Sequence, residues 1–496
     1  MQFAITFPAH SPLPLYKQIS NALRDAIISG RLQHGDKLPS TRELSDSLKI
    51  SRLTVSRGLE DLASQGYVQT VLGSGSYVSS SMIQQFDPSP AGNASSDAPA
   101  VPAPVPSLSS FARRVLNAEN GENSENSKSI ASGQNEDAEK TQFTEFGIAP
   151  AVDQLPMKRW REMLMKACRF DEEQPTLEPT DSFGYLPLRQ AIAAYLSRAR
   201  SINCDASRVV IFSSVGASTD FVMRLLSEAG DQIVMETPGS IHARDLAQAH
   251  GLNVLAVAVD EGGMKTPPFR ETPDTLRFVY TNPSRNPVNG VAMSLKRRLE
   301  LLDWSRANGV MIVEDDLDCE FRYGERLLPS IMSLDSNHCV IYRSSFFKAL
   351  YPLTRFSFIV LPENLVPAAR AMKNVLDYDI PVLEQKALTE LIEGGHFERH
   401  IRRTQAIYAR RRAAMILALT RHFKGRIAIA PQTSGLHLSI RLSTEFDVES
   451  LESAARSAGL VMRSVAHHYS DDGPYGEFIV AFALADEMQI SASVAN

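Results

Sequence analysis

RSSFFKALYPLTRFSF, residues 343–358, sets one lysine in a run of aromatic and aliphatic residues, with no acid inside the stretch to pair with Lys348. Burying an unpaired ammonium is costly, and a protein often answers by lowering its pKa or neutralising it. Taken alone, the stretch fits a strand-end lysine that reaches solvent, and equally an amine kept in an apolar pocket for carbonyl chemistry. Its surroundings narrow the choice. CVIYRSS, which runs into it, reads as a buried strand. Similar runs recur in RVVIFSS, QIVMET, LNVLAVAV, LRFVYT and GVMIVEDD, separated by amphipathic helical stretches. This alternation, from about Phe143 to Ala495, predicts an α/β domain on a largely parallel, buried sheet.

Length and composition frame that domain. A chain of 496 residues exceeds one ordinary core and implies two or three domains. At 43% hydrophobic and 22% charged it reads as globular and soluble. A net charge of −6 excludes a protein that is basic throughout, so any nucleic-acid contact must be local. No apolar run is long enough to span a bilayer, and MQFAITFPAHSPLPLY lacks the charged and apolar regions of a secretion signal. The chain therefore reads as cytoplasmic, with no membrane partner. Cys168, Cys204, Cys319 and Cys339 are scattered without CxxC spacing, which indicates neither zinc nor a disulfide framework. His242, His396, His400, His467 and His468 form no metal-ligand pattern. RHIRR (399–403) and ARRR (409–412) read as a solvated helix face.

Residues 1–80 have their own pattern. In LYKQISNALRDAIISG, Tyr16, Ile19, Leu23 and Ile27 share a helix face, and Gly30 is a natural stop. Ser40 and Glu43 have capping-box spacing at the start of a second helix. Ser51 can cap a third, SRLTVSRGLEDLASQG, with Val55, Leu59 and Leu62 inward and Arg52, Thr54, Ser56 and Arg57 free on its early turns. GYVQTVLGSGSYVSS reads as a hairpin with its tip at 73–75. Three helices and a two-stranded wing make a winged helix-turn-helix, which enters the major groove with its last helix. Its eight basic and six acidic residues give a weak electrostatic signal. Residues 81–142, first Pro-, Ala- and Ser-rich and then almost without large apolar side chains, read as a flexible linker. FARRVLN is its one piece suited to docking.

LPSTRELSDSLKISRLTVSRGLEDLASQGYVQTVLGSGSYV (38–78) resembles the GntR family of bacterial regulators almost position by position. The resemblance implies that Arg42, Arg52, Thr54, Arg57 and Gly75 lie at the DNA; Ser56 shares their exposed turn. In residues 143–496, GYLPLR, GGHFERHIRRTQAIYARRR, TSGLHLSI and the lysine segment look like the aminotransferase-type domain of the MocR subgroup. That resemblance implies a fold-type I domain for pyridoxal 5′-phosphate (PLP), a homodimer, operator DNA as partner and a small amino compound as effector.

PLP needs an amine for its Schiff base, and Lys348 would supply it. It needs a carboxylate facing its pyridine nitrogen, and Asp315, ending the apolar strand GVMIV, fits. Its phosphate needs N–H donors, a hydroxyl and a cation. The turn SSVGAS (213–218) can offer the amides of Gly216 and Ala217, while Ser345 and Arg355 have the spacing from Lys348 of the family's phosphate ligands. Asn286, in NPSRNPVNG, is the expected partner of the ring oxygen. Three positions depart from the subgroup: Ser240 where an aromatic stacks on the ring, Leu317 where a tyrosine bonds its oxygen, and Phe347 where a small polar residue stands. EFIVAFAL (477–484) also lacks an arginine for a substrate carboxylate. These departures favour a PLP-dependent regulator that senses an amino compound. The rivals are an active aminotransferase with a DNA-binding appendage, and a regulator with a degenerate dimerisation domain that binds no PLP.

Overall fold

Where the first helices begin and end sets the N-terminal unit. The computed structural model describes residues 13–71, 74–79, 108–120, 143–144, 147–148, 150–169, 181–268, 272–317, 319–323, 328–377, 380–430, 434–442, 447–471, 473–474 and 476–495. In it α1 spans Leu15–Ile28, α2 Thr41–Leu48 and α3 Arg52–Ser64. Gly30 follows α1 at φ +72, a left-handed turn that glycine adopts without strain. Ser40 Oγ accepts from the Glu43 amide at 3.2 Å, and Glu43 Oε2 accepts from the Ser40 amide at 2.8 Å, completing the capping box. Ser51 caps α3 through the Thr54 amide at 3.2 Å.

Ile19, Leu23, Ile27, Leu44, Val55, Leu59 and Leu62 are buried together between these helices. α1 and α3 approach so closely that a Cβ on Gly58 would stand 3.0 Å from the Tyr16 carbonyl oxygen. Tyr16 is half-buried, with the Arg57 guanidinium 4.8 Å above its ring. β1 (Val68–Val71) and β2 (Gly75–Val78) pair antiparallel from Val68↔Val78 to Val71↔Gly75 and form the wing. Gly73 of the expected tip lies outside the described residues.

The chain divides into units Met1–Pro106 and Ser107–Asn496. Within the stretch read as linker, Ser110–Asn120 is a helix. It packs on helix Ile241–His250: Phe111 meets the His250 ring edge-on at 5.3 Å, and Arg114 Nε donates to the Ala249 carbonyl at 2.8 Å. Burying this amphipathic turn explains why FARRVLN departs from its surroundings. Apart from residues 108–120, the stretch 81–142 lies outside the described residues.

After a short ladder of β3 (Phe143–Thr144) with β4 (Gly147–Ile148), one sheet organises the second unit. Its strands are β5 (Val209–Phe212), β6 (Gln232–Thr237), β7 (Asn253–Asp260), β8 (Gly263–Met264), β9 (Leu276–Thr281), β10 (Met311–Asp315), β11 (Val340–Ser345) and β12 (Ser357–Val360). The order is β5-β12-β11-β10-β9-β6-β7-β8. β7, β6, β9, β10 and β11 run parallel, while β12 is antiparallel to both β11 and β5. Alternate side chains divide between two cores, with Val234, Val279, Ile312 and Tyr342 on one face and Ile233, Phe278, Val313 and Ile341 on the other. Helices cover both faces, so the strands carry nearly continuous apolar runs.

The carboxyl ends of β6, β9, β10 and β11 open on one side of the sheet, where parallel α/β folds form their crevice. A second, antiparallel sheet of β13 (Ile427–Ile429), β14 (His437–Leu442), β15 (Met462–Ser464) and β16 (Glu477–Ala481) has the order β13-β14-β16-β15. Helix His396–Phe423 leads into it. Its basic run is not wholly solvated, contrary to the expectation for ARRR. Arg411 is buried and donates to the Ala483 carbonyl at 2.5 Å, tying the helix to the second sheet. Among the described residues no helix is long and apolar enough to cross a membrane, and no group of His, Cys, Asp or Glu is arranged to hold a metal ion.

Candidate functional site

Asp315 closes β10 at the sheet's carboxyl edge, 3% exposed. Parallel pairing sets it opposite Arg343 of β11, and Arg343 Nη1 lies 2.7 Å from Asp315 Oδ1. Arg343 directs its hydrogen bonds elsewhere: to the Tyr280 hydroxyl at 2.9 Å, Ser218 Oγ at 3.0 Å and the Val215 carbonyl at 2.9 Å. Tyr280 in turn donates to Asp315 Oδ2 at 2.5 Å. Oδ1 is buried and accepts no hydrogen bond. Burial pushes the Asp315 carboxyl above its ordinary range, against the pull of Arg343. Burial raises Tyr280 far more, so its hydroxyl stays a donor.

Arg343 thereby fastens the strand ends to the turn that opens helix Val215–Leu226. Ser214 caps that helix, its Oγ accepting from the Ala217 amide at 3.2 Å. Gly216, in the same first turn, has an amide with no intrahelical acceptor. Ser357 of β12 donates to the Ser214 carbonyl at 2.6 Å and holds the turn against the sheet.

Ser345, two residues beyond Arg343, is buried at the end of β11. Its hydroxyl donates to the Phe356 carbonyl at 3.0 Å and accepts from the Phe347 amide at 3.0 Å, so its proton is already committed. Arg355 sits at the rim, exposed, with its guanidinium 5.7 Å above the Tyr351 ring.

Lys348 occupies the four-residue helix Phe347–Leu350 and is 6% exposed. The choice between a solvated lysine and a buried amine falls on the buried side. Its ammonium lies 5.9 Å from the centroid of the Phe347 ring, itself 4.7 Å from that of Tyr351. His437, at the start of β14, faces the same ground. Burial, then Arg285 and then Lys348 hold its ring well below its ordinary pKa, so it is neutral. Arg285 Nη2 lies 2.6 Å from His437 Nε2, and Arg285 Nε donates to the Ser434 carbonyl at 3.2 Å. Gly435 makes that approach possible, because a Cβ there would stand 2.2 Å from Arg285 Nε.

Asn286, expected as the partner of the ring oxygen, is buried in the 282–290 loop. Its Nδ2 protons go to Glu236 Oε2 at 2.8 Å and the Pro238 carbonyl at 2.7 Å. Its Oδ1 accepts from the Val288 and Asn289 amides. Asn286 organises the 282–290 loop around Glu236, a carboxylate also bonded by Thr281 Oγ1 and the Asn282 amide. Ser240 caps helix Ile241–His250 by accepting from the Ala243 amide at 3.3 Å, a local duty that an aromatic could not perform. Two residues on, burial and then Arg343 push His242 down to about 4.

On the N-terminal unit, Arg42 and Arg52 are exposed on the first turns of α2 and α3. Thr54 shares a 2.8 Å hydrogen bond with Ser51, and Ser56 donates to Glu60 at 3.0 Å. Gly75 opens β2 at φ +121, and a Cβ there would stand 2.9 Å from Lys37 Cε. Sequence reasoning missed Arg343, Tyr280, Arg285 and His437. A basic residue inside the apolar run VIYRSS was the available signal for Arg343.

Residues 15–78 match the bacterial regulatory proteins of the gntR family, and residues 149–471 match aminotransferase class I and II. The uncharacterised HTH-type transcriptional regulator YdeL of Bacillus subtilis is 28% identical over 97% of this chain and 96% of its own. The probable rhizopine catabolism regulatory protein MocR of Rhizobium meliloti is 28% identical over 96% of this chain and 91% of its own. The kynurenine aminotransferase of Pyrococcus horikoshii, solved in complex with PMP, superposes with a TM-score of 0.64 at 22% identity, covering 78% of this chain and 93% of that one.

Proposed function

From a chain that belongs to the aminotransferase class I and II family over residues 149–471 and carries a gntR-type winged helix at 15–78, we propose a PLP-dependent transcriptional regulator that senses an amino compound. The observation that carries this reading is Asp315 Oδ1. It belongs to a buried carboxylate at the end of the strand beside the one that leads to a buried lysine, and its close partner is the Arg343 guanidinium at 2.7 Å. A buried carboxylate steadied by one cation, with lone pairs to spare, suits a protonated ring nitrogen.

PLP, when bound, supplies a carbonyl that an amine can join and a ring that withdraws electrons. The chain's residues would hold it from several sides. Asp315 keeps the ring nitrogen protonated, while Arg343 and Tyr280 keep Asp315 in place. The Gly216 and Ala217 amides, Ser345 and Arg355 would serve the phosphate, Ser345 by turning its proton from the Phe356 carbonyl to a phosphate oxygen. Lys348 provides the covalent anchor. Arg285, beside the neutral His437, is the cation we assign to the effector's carboxylate, since β16 carries no arginine. The short hydroxyl of Ser240 and the aliphatic Leu317 grip a ring less firmly than an aromatic and a tyrosine, which favours sensing over turnover.

In the other unit, α3 enters the major groove with Thr54 and Ser56 toward its floor and Arg52 and Arg57 toward the phosphates along its walls, while Arg42 and Gly75 also lie against the backbone. Such a regulator works in the cytoplasm as a homodimer, and its effector acts by binding one dimer conformation better than another. An absorbance titration with PLP, run beside Lys348→Ala, tests the proposal. The wild-type chain is expected to develop the band of covalently attached PLP and the variant to lack it; identical spectra overturn the assignment. Steady keto-acid release from an amino donor would make the protein an enzyme instead.

A further inference from the structure

Away from the crevice, the first turns of helix Met157–Ala167 and helix His396–Phe423 border a cleft of about 380 Å³. Its polar lining is entirely basic: Lys158, Arg159, His396, Arg399, His400 and Arg403. Among the described residues no carboxylate lines it. Glu162 pairs with Arg159 at 2.8 Å, and Glu398, in the first turn of the second helix, is drawn away to Arg198 at 3.2 Å. Neither helix has a side-chain cap, since Pro156 and Gly395 stand at the two positions. Two helix N-termini thus add their amides and partial positive charge to the four long cations.

We infer that this cleft binds a compact polyanion, a small molecule carrying two or more phosphate or carboxylate groups. His400 supplies the second, independent sign of a ligand. It is 5% exposed and lines the cleft, and its Nδ1 has no hydrogen-bond partner. Its Nε2 lies 2.9 Å from the Ala349 carbonyl oxygen, which makes Nε2 the protonated nitrogen and leaves Nδ1 as an acceptor. A phosphate meets the surrounding cations with its charge, and the His400 ring forms part of the wall behind it. Because the same ring holds Ala349, a ligand against it bears on the residue next to Lys348 through one imidazole. The site is separate from the phosphate ligands assigned above, and it stands whether or not PLP binds.

Calorimetric titration of the full chain with inorganic pyrophosphate, at saturating PLP so that the phosphate ligands assigned above are occupied, tests the site. One equivalent is expected to bind. Lys158→Ala and Arg399→Ala, both at exposed side chains that leave the core intact, should each weaken binding by about ten-fold, the loss of one charge-assisted contact. Arg355→Ala should leave it unchanged. Absence of binding overturns the inference, as does loss in Arg355→Ala with retention in the cleft variants. Binding of duplex DNA but not of pyrophosphate, abolished by the same two cleft variants, would reassign the surface to nucleic acid.

Discussion

Asp315 and Arg343 face each other across the parallel β10–β11 ladder, and their side chains close to 2.7 Å. The pair is nearly free of solvent, and the two partners are not equally provided for. Arg343 keeps three hydrogen bonds to neutral acceptors, whereas Asp315 depends on Arg343 for its charge and on Tyr280 for its second oxygen. Removing the cation leaves a buried carboxylate that must take up a proton. Arg343→Met should therefore destabilise the second unit by about 3 kcal/mol. Denaturant unfolding would measure it, and a loss below about 1 kcal/mol would contradict this account of the pair.

Asp315→Asn removes the other charge. Asparagine keeps an acceptor for Tyr280 and fills the same space, but its NH2 then faces Arg343 without a counter-charge, so the unit should again lose about 3 kcal/mol. The lost negative charge is also the one opposite the proposed ring nitrogen. PLP affinity should drop by at least about ten-fold, read by equilibrium absorbance titration. Retained affinity would remove Asp315 from the cofactor set.

Much of this arrangement was legible in the sequence because it follows from local rules. Apolar β-branched runs gave the six principal strands, and Ser40 with Glu43 gave the start of α2. The C-terminal end of GVMIV placed Asp315 at the crevice, since a strand that enters the core must deliver its last residue there. Arg343 and Arg285 were less legible, because a buried cation is stabilised by partners far away in sequence: Ser218 and Val215 for the first, His437 and Ser434 for the second. The partners of Asn286 were illegible for the same reason. Its amide is used by Glu236, fifty positions earlier, and no spacing within NPSRNPVNG reveals that.

Arg285 yields a prediction about the effector's chemistry. If it receives a carboxylate, an amino acid should bind more tightly than the amine that lacks that group, by roughly ten- to hundred-fold. Arg285→Met should abolish the difference without abolishing amine binding. Spectral titration of the PLP-loaded protein with matched pairs of ligands measures both. A preference that survives the substitution would move the carboxylate elsewhere.

Two histidines near the crevice set a pH dependence of stability. Burial first, and neighbouring arginines after it, push His242 and His468 down to about 4; for His468 the Gly239 carbonyl, 2.8 Å from Nδ1, opposes the shift. Both are therefore neutral in the folded chain but titrate near 6.5 when unfolded. Protonation favours the unfolded state, so stability is complete above pH 6.5 and declines as the pH falls toward 4. The linked loss is on the order of 1–2 kcal/mol per ring at pH 5. Denaturation midpoints at pH 7.5, 6 and 5 should fall in that order. His468→Asn, which retains a donor for the Gly239 carbonyl, should flatten the slope; an unchanged slope would exclude His468 from the linkage.

The helix proposed to face DNA separates its basic residues by what already engages them. Arg57 lies over the Tyr16 ring, whereas Arg52 is exposed on the first turn of α3. Beside it Leu53 is 80% exposed, a large apolar side chain with no part in the core. Such a residue on the leading turn is suited to contact a thymine methyl in the major groove. Leu53→Ala should leave the unfolding midpoint within about 0.5 kcal/mol of wild type while lowering operator affinity. Arg52→Ala should reduce the slope of log affinity against log salt by about one, the signature of one lost phosphate contact. Arg57→Ala should reduce it less and cost some stability by uncovering Tyr16. Equal slopes for the two arginine variants would mean that Arg57 leaves the ring on binding, and an unchanged slope for Arg52→Ala would take that residue off the phosphate backbone.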